Sequence, residues 1–268
     1  MTESILDTII ANVQKRLDWT PEAPGLERLA LRMVERRTRE GRRSLRKALA
    51  GTDPEVIAEC KKASPSSGVI RDPFNPVKLA TAYEAGRAAA ISVVTEPDSF
   101  QGDPLWIPRV REAVNLPVLR KDFIISRRQL FESAVLGADA VLLISRILPE
   151  KRLAAFLTTA EMLGLEVLLE IFVDEDPGRA IDSGAQIIGV NARDLATFEV
   201  DLDRVEALAS VIPDDRIKVA ESGIHGPNHV ARLHAAGFNA FLVGEHLIRS
   251  DNPENALRRL VGRQVRFG

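Results

Sequence analysis

The sequence predicts an α/β fold, a (β/α)8 TIM barrel, formed by a single domain over residues 1–268 with a helical extension at residues 1–50. Two observations predict it. Short apolar runs recur at intervals of about 20 to 35 residues, the length of a repeating strand–helix unit. Several of these runs end in a charged or amide side chain, as residues 118–121 do at Lys121. Barrels of this class build their active sites from the carboxyl ends of several strands.

Length and composition limit the possible functions. The 268 residues are 45% hydrophobic and 28% charged with a net charge of −2, which argues against a general polyanion binder. No apolar run approaches the ~20 residues of a membrane span, and the first residues lack the positive flank of a signal peptide. The single cysteine, Cys60, favours a reducing compartment. We therefore expect a cytoplasmic protein without nucleic-acid or membrane partners, a monomer in the simplest case, and no second enzyme fused after the eighth unit.

The extension is predicted to hold two helices. Ser4 can cap the first, which carries an apolar stripe that includes Ile5 and Ile9. The second begins at about Leu26, presents Leu29, Met33 and Val34 on one face, and becomes very basic over residues 36–47. We interpret the basic stretch as a solvated face. Nucleic-acid binding is disfavoured because no aromatic residues are interleaved with the arginines. A third interpretation, in which one arginine leans toward an anionic ligand in the main domain, stays open.

The first barrel strand is predicted at residues 56–61. Alternation along it places Glu59 and Lys61 on one face and Cys60 on the other. The apolar face should meet the covering helices, so the charged pair faces the barrel interior and Cys60 is a buried, inert thiol.

Seven further strands follow in the same rhythm. They are predicted at residues 90–94, 118–121, 140–144, 167–171, 186–191, 217–221 and 240–243, with helices between them, for example at residues 149–163, 201–211 and 227–236. A doubly wound open sheet is the alternative. Its usual glycine-rich fingerprint after the first strand is missing, which favours the closed barrel.

Polar side chains at the predicted strand ends would converge on one mouth of the barrel. They are Glu59, Lys61, Lys121, Glu170, Asn191, Arg193, Glu221 and Ser222. Lysines and glutamates in so small a space must shift one another's pKa values, which can set a proton donor beside an acceptor near neutral pH. An ion network that merely lines the barrel is the structural alternative.

Two glycine-containing turns suggest a phosphate site. Gly223 follows the seventh strand, and Gly244 with Glu245 follows the eighth, which is the usual phosphate position in this class of barrel. The Glu245 carboxylate would repel a phosphate, so we expect its side chain to point away while its N–H donates. The polar loop at residues 63–68 could close over a ligand or could be an ordinary exposed connection.

Neither a metal nor a cofactor is expected. The four histidines, His225, His229, His234 and His246, show no ligand spacing typical of a metal site, and the chain has no dinucleotide-binding fingerprint.

Seven segments of the chain resemble the indole-3-glycerol phosphate synthase family, and they occur in the family's order from about residue 1 to residue 262. The segments are IAECKKASPSSG, SVVTEPDSFQGD, LRKDFI, LGADAVLLI, GVNARDL, KVAESGI and AFLVGEHL. The resemblance implies a barrel lyase of tryptophan biosynthesis that needs no cofactor. Its substrate would be a phosphosugar joined to anthranilate, 1-(2-carboxyphenylamino)-1-deoxyribulose 5-phosphate, which is converted to indole-3-glycerol phosphate, carbon dioxide and water.

The resemblance also implies roles for individual residues. Lys121 matches the general acid, Glu170 the catalytic glutamate, and Glu59 with Lys61 the pair that holds substrate and helps in dehydration. Residues that match substrate contacts are Ser64, Asn191, Arg193, Glu221 and Ser222, with Phe100 and Leu143 against the aromatic ring, and Gly223, Gly244 and Glu245 at the phosphate. The chain departs from the family pattern at Leu45, Phe172 and Ala192, which could alter how tightly substrate is held.

Two other functions remain possible on sequence alone. One is a phosphosugar aldolase that uses Lys121 as a Schiff-base nucleophile. The other is a non-catalytic sensor of a phosphorylated ligand, which would need the phosphate site but not the acids and bases at the strand ends.

Overall fold

Eight parallel strands close into one barrel. The computed structural model describes residues 4–21, 23–175, 177–194 and 199–262, with only the backbone of Glu40. Each strand pairs with its neighbours in chain order, and β1 and β8 close the circle. The strands are β1 (Glu55–Cys60), β2 (Ala90–Val94), β3 (Val118–Lys121), β4 (Ala140–Ile144), β5 (Glu166–Phe172), β6 (Ile187–Asn191), β7 (Ile217–Glu221) and β8 (Ala240–Val243).

Helices surround the barrel and fill the predicted gaps. They are α1 (Ile5–Trp19), α2 (Leu26–Glu40), α3 (Leu45–Leu49), α4 (Pro76–Ala85), α5 (Pro97–Phe100), α6 (Trp106–Ala113), α7 (Arg127–Leu136), α8 (Glu150–Met162), α9 (Gly178–Asp182), α10 (Leu202–Ala209), α11 (Pro227–Ala235), α12 (Glu245–Ile248) and α13 (Pro253–Leu260), with a 3-10 turn at Ser145–Ile147. The predicted fold class is confirmed.

Alternation along the strands separates an inner layer from an outer one. In β1, Ile57 packs with the inner cluster, whereas Ala58 and Cys60 pack with the outer cluster beneath the helices, as predicted. Cys60 is fully buried, and burial raises the pKa of its thiol, so it has the inert character expected of it. Because Glu59 shares the inner face with Ile57, its carboxylate points into the barrel.

The two ends of the barrel are covered by different parts of the extension. Leu45 and Leu49 of α3 are fully buried in the inner cluster, with residues such as Ala90 and Ala140 that begin strands. They therefore plug the amino-terminal end of the barrel. Leu45 lies at the end opposite the charged strand ends, so the expectation that it affects substrate binding is not supported.

The basic stretch is partly a structural fastening. Arg37 is only 6% exposed and donates to the carbonyl of Ala138 at 2.5 Å. Arg43 donates to the carbonyl oxygens of Arg111 and Leu116. The prediction of a wholly solvated face is wrong because a guanidinium on a long stem can reach backbone carbonyls in neighbouring loops.

The apolar face of α2 also differs from the prediction. Leu29 is 45% exposed, whereas Ala30 is fully buried against the barrel helices. The side chain of Leu26 packs against the same cluster. Within the described ranges, every helix falls short of the length and apolar character that a membrane span requires.

Candidate active site

A pocket opens at the carboxyl ends of the strands and brings together nearly all the residues predicted to form the site. It is lined by Glu59, Lys61, Ser64, Phe100, Lys121, Glu170, Asn191, Arg193, Glu221, Ser222, Gly223, Gly244 and Glu245, and by several residues that were not predicted. Leu143 alone among the predicted set lies elsewhere.

Lys121 stands between two carboxylates at the centre of the pocket. Its Nζ lies 3.2 Å from Glu170 Oε2 and 3.2 Å from Glu221 Oε2. Burial by itself would lower the pKa of Lys121, but the negative charges of Glu170, Glu221 and Glu59 raise it above the ordinary lysine value. The lysine is therefore held as an ammonium group, the form that can donate a proton.

Glu221 is the member of this trio that favours the protonated state. Burial raises the pKa of Glu221 to about 8, with Lys121 opposing the shift and Glu170 adding to it. Its Oε1 is buried and has no hydrogen-bond partner among the described residues. A side chain at Gly189, one strand away, would collide with that oxygen. Sequence analysis missed Gly189, although a glycine inside a strand is a sign of close approach.

Glu59 and Lys61 form a second pair in the pocket. Their Oε1 and Nζ atoms lie 2.8 Å apart. Burial alone would raise the pKa of Glu59, but Lys61 and Lys121 outweigh it and lower the pKa below the ordinary value. Glu59 is thus the carboxylate that stays ionised, while Glu221 holds a proton. The two buried glutamates have opposite protonation preferences because Glu59 has two lysines nearby, whereas Glu221 has one lysine and a second glutamate.

An apolar slot forms one side of the pocket. Phe100 and Phe123 lie with ring centroids 6.1 Å apart, and Ile5 and Ile9 of α1 contribute from above. The predicted contact of Leu143 is wrong, because Leu143 packs in the outer layer. Its neighbours Leu142 and Ile144 line the pocket instead. The alternation that correctly placed Glu59 would have chosen the even-numbered residues of β4.

The two turns that were predicted to bind phosphate follow β7 and β8. At each of them, a neighbouring side chain explains why the position holds a glycine. Gly223 has φ of +70° and a Cβ there would collide with Val200. A Cβ at Gly244 would collide with the Glu59 carboxylate. The carboxylate of Glu245 lies 2.8 Å from Arg249 and accepts from the Ser67 hydroxyl at 3.3 Å, so its negative charge is offset by Arg249.

The polar loop after β1 is a short hairpin. Ala63–Ser64 pairs with Gly68–Val69, and Ser64 is buried with its hydroxyl accepting from Ser67 N at 3.2 Å. On the opposite side of the mouth, Asn191 Oδ1 accepts from Arg193 N at 3.0 Å, which fixes the start of the loop after β6. Both hairpin and loop present polar groups to the pocket.

Two histidines also line the pocket, although sequence analysis gave them no role. They are His225 and His246. Burial, with His225 and Arg259 nearby, lowers the pKa of His246. Across the described parts of the chain, no three His, Cys, Asp or Glu side chains are grouped as a metal site requires.

Comparison with known proteins gives a consistent result. The family model described as indole-3-glycerol phosphate synthase matches residues 6–260. The indole-3-glycerol phosphate synthase of Nocardioides sp. is 42% identical over 272 residues, covering 97% of this chain and 98% of the relative. That of Sulfurimonas denitrificans is 46% identical over 209 residues, covering 78% of this chain and 80% of the relative.

Solved structures resemble the chain in fold. A 3-hexulose-6-phosphate synthase structure aligns with a TM-score of 0.62 at 15% identity and covers 79% of this chain and 100% of its own. A tryptophan synthase complex from Pyrococcus furiosus aligns with a TM-score of 0.58 at 15% identity, covering 78% and 98%. At such low identity the likeness concerns the barrel alone.

Proposed function

The chain belongs to the indole-3-glycerol phosphate synthase family, and on this premise we propose how its pocket residues divide the work. The reaction is the ring closure of 1-(2-carboxyphenylamino)-1-deoxyribulose 5-phosphate to indole-3-glycerol phosphate, with loss of carbon dioxide and water. It is a carbon–carbon lyase reaction of tryptophan biosynthesis. The position of Lys121 between two carboxylates, facing an apolar slot, carries the proposal.

Lys121 is the general acid of ring closure. The anilino ring carbon that bears the carboxylate attacks the ribulose ketone carbon, and Lys121 gives a proton to the ketone oxygen. The carboxylate then leaves as carbon dioxide, and its bonding electron pair neutralises the positive iminium that the attack produced. Glu170, in contact with Lys121 Nζ, takes a proton from solvent and passes it to the lysine after ring closure, and Glu221 holds the ammonium from the other side.

The second pair completes the reaction by dehydration. Lys61 gives a proton to the hydroxyl group that the ketone has become, so that it leaves as water. Glu59, which remains ionised, removes a proton from the adjacent CH2. The two residues are in contact, so one can return the proton to the other between turnovers.

The remaining pocket residues bind and orient the substrate. Phe100 lies against the anthranilate ring, and the turns at Gly223, Gly244 and Glu245 receive the phosphate through backbone N–H groups. Polar contacts to the sugar and carboxylate come from Ser64, Asn191, Arg193 and Ser222. No metal or cofactor is needed, because every step runs on side-chain acids and bases, and the two ammonium groups would repel a divalent cation.

The aldolase alternative is disfavoured by the state of Lys121. A Schiff-base lysine must lose its proton to act as a nucleophile, and such lysines have lowered pKa values. Here the surrounding carboxylates raise the pKa of Lys121. The acids and bases themselves count against the sensor alternative.

Composition and packing support the remaining proposals. We propose that the protein is a cytoplasmic monomer. Its partner is the small-molecule substrate, and it binds neither nucleic acid nor membranes. Residues 1–50 belong with the barrel as one domain over residues 1–268, since α1 supplies Ile5 and Ile9 to the pocket and α3 plugs the other end.

Incubation with the carboxyphenylamino-deoxyribulose phosphate tests the proposal directly. The appearance of indole fluorescence, without any covalent adduct on borohydride treatment, is the expected result. A trapped adduct on Lys121 would support the aldolase, and substrate binding without turnover would support the sensor.

A further inference from the structure

Lys121 is flanked in the chain by two buried charged residues, Arg120 and Asp122, which pair with each other, and Asp122 also borders the pocket. Because side chains alternate along a strand, Arg120 lies on the opposite side of β3 from Lys121, and Asp122 is the first residue after the strand. Arg120 is 3% exposed and Asp122 5% exposed. Arg120 Nη2 lies 2.8 Å from Asp122 Oδ2, so the two form a buried ion pair around the backbone of the lysine.

Thr95, which directly follows β2, completes this arrangement. Its hydroxyl donates to Asp122 Oδ2 at 2.6 Å and accepts from Arg120 Nε at 3.2 Å. Its backbone N–H donates to the carbonyl of Lys121 at 3.0 Å. Thr95 is fully buried. The backbone of Lys121 is therefore tied to the neighbouring strand by both the ladder and the side chains on either side of it.

The same network fixes the loop that follows Lys121. Asp122 Oδ1 accepts from Phe123 N at 2.8 Å, and Gln129 of α7 donates to Phe123 O at 2.9 Å. Arg120 Nη1 donates to the Gln129 carbonyl at 3.1 Å. Phe123 lines the apolar slot, so the network sets the position of both the lysine and one wall of the ring site.

We propose that Asp122, Arg120 and Thr95 are positioning residues that hold Lys121 at the place from which it donates its proton. A buried ion pair contributes little net stability over apolar residues of similar size, because both charges must be desolvated. Its value here is geometric: proton donation depends on the donor lying within hydrogen-bond reach of the substrate oxygen. The three residues form no part of the acid–base set. The inference rests on the proposed role of Lys121.

The other end of the same strand supplies a matched control. Asp139 is also buried, and its Oδ2 accepts from Arg111 at 2.6 Å and from Val118 N, the first residue of β3, at 3.0 Å. Asp139 thus joins an arginine to the backbone at the start of β3, far from the pocket, and Asp122 joins one to the backbone just after β3, beside Lys121. A purely structural role predicts the same consequences for both.

The test compares Asp122→Asn with Asp139→Asn by steady-state kinetics and urea unfolding. Displacement of a reacting group by ~1 Å can cost about 10²-fold in rate. We expect Asp122→Asn to lower kcat by about 10- to 100-fold with KM changed less than about twofold, and Asp139→Asn to keep kcat while losing stability. Normal kcat in Asp122→Asn, or an equal loss in both variants, would overturn the inference.

A double mutant shows whether Asp122 acts through the lysine. In a Lys121→Ala background, adding Asp122→Asn should change the single-turnover rate less than about twofold, because the group that it positions is already absent. An additive loss would contradict the inference. If Lys121→Ala itself kept near-normal turnover, the proposed function of Lys121 would fail; if only Asp122→Asn kept it, the positioning role alone would fail.

Thr95 provides a milder pair of variants should Asp122→Asn not fold. Thr95→Val removes the hydroxyl at constant size, and Thr95→Ser keeps it. We expect kcat to fall about 10-fold in the valine variant and to be largely restored in the serine variant. Equal kcat values in both would overturn the inference.

Discussion

Charged side chains meet different partners where the extension docks at one end of the barrel and where the pocket opens at the other. At the amino-terminal end, Arg37 and Arg43 donate to backbone carbonyls of neighbouring loops, and Glu166 accepts from Ser44 and from the backbone of Arg46. At the carboxyl end, Lys121 is held by Glu170 and Glu221. The first set has partners that cannot titrate. The second set has partners that can titrate.

This difference separates structure from chemistry. A carbonyl partner fixes an arginine in one protonation state and one place, so the contact can only stabilise. A cluster of lysines and glutamates has several protonation states, and burial tunes which of them is populated. The same residue types therefore fasten the extension at one end and form a cluster that can titrate at the other. Variants at the two ends should consequently fail in different measurements.

The largest difference in kcat is expected between variants of two glutamates toward opposite ends of β5. Glu170→Gln keeps shape and hydrogen bonding but cannot take a proton, so we expect kcat to fall by about 10² to 10⁴-fold with little change in KM. Glu166→Gln is the matched control, and steady-state kinetics should show a normal kcat. A change confined to KM in Glu170→Gln would make Glu170 a binding residue.

Truncating the plug should produce the opposite pattern. Leu45→Ala removes a fully buried side chain, so the free energy of unfolding in urea should fall by about 2–5 kcal/mol. Since Leu45 lies at the far end from the pocket, kcat should be unchanged at temperatures where the variant is folded. A large loss of kcat in the folded variant would show that the two ends are coupled.

Stability at the carboxyl end should depend on pH through Glu221. The pKa of Glu221 is about 8 in the folded protein against an ordinary value of 4.5, so the folded state holds a proton that the unfolded chain releases. The free energy of unfolding should therefore fall as pH rises from 4.5 to about 8. Glu221→Gln should flatten this fall in urea titrations across the same window. An equally steep fall in the variant would assign the titration to another group.

The smallest effect is expected where α1 meets the mouth. Arg16 pairs with Asp98 and, at 3.4 Å, with Glu96, whose carboxylate also caps the short helix that carries Phe100. The pair with Asp98 is well exposed, and such pairs are worth about 0.2–1 kcal/mol. Arg16→Met should raise KM up to about fivefold through looser seating of α1, while the exposed neighbour Lys15→Met should not. Identical KM values in the Arg16→Met and Lys15→Met variants would show that α1 has no part in substrate binding.

Local rules predicted much of the barrel. Strands β2, β3, β4, β7 and β8 have the predicted bounds, because strand-forming runs and turn residues give clear ends. The error at Leu143 came from matching a family pattern where alternation would have chosen Leu142. What sequence could not supply was long-range docking: the stripe with Ile5 and Ile9 predicts a helix, but periodicity does not say which end of the barrel that helix covers.

The most direct test of the contrast between the two ends places the same substitution at each. Lys121→Met and Arg43→Met should both remain folded by circular dichroism, and kcat and urea unfolding should be measured for both. We predict that Lys121→Met loses kcat by about 10² to 10⁴-fold, because the proton donor is gone. Arg43→Met should keep kcat. Its free energy of unfolding should fall by about 1–3 kcal/mol, because backbone carbonyls at the amino-terminal end of the barrel lose their hydrogen-bond donor. Near-normal kcat in Lys121→Met, or a comparable loss of kcat in Arg43→Met, would contradict the account.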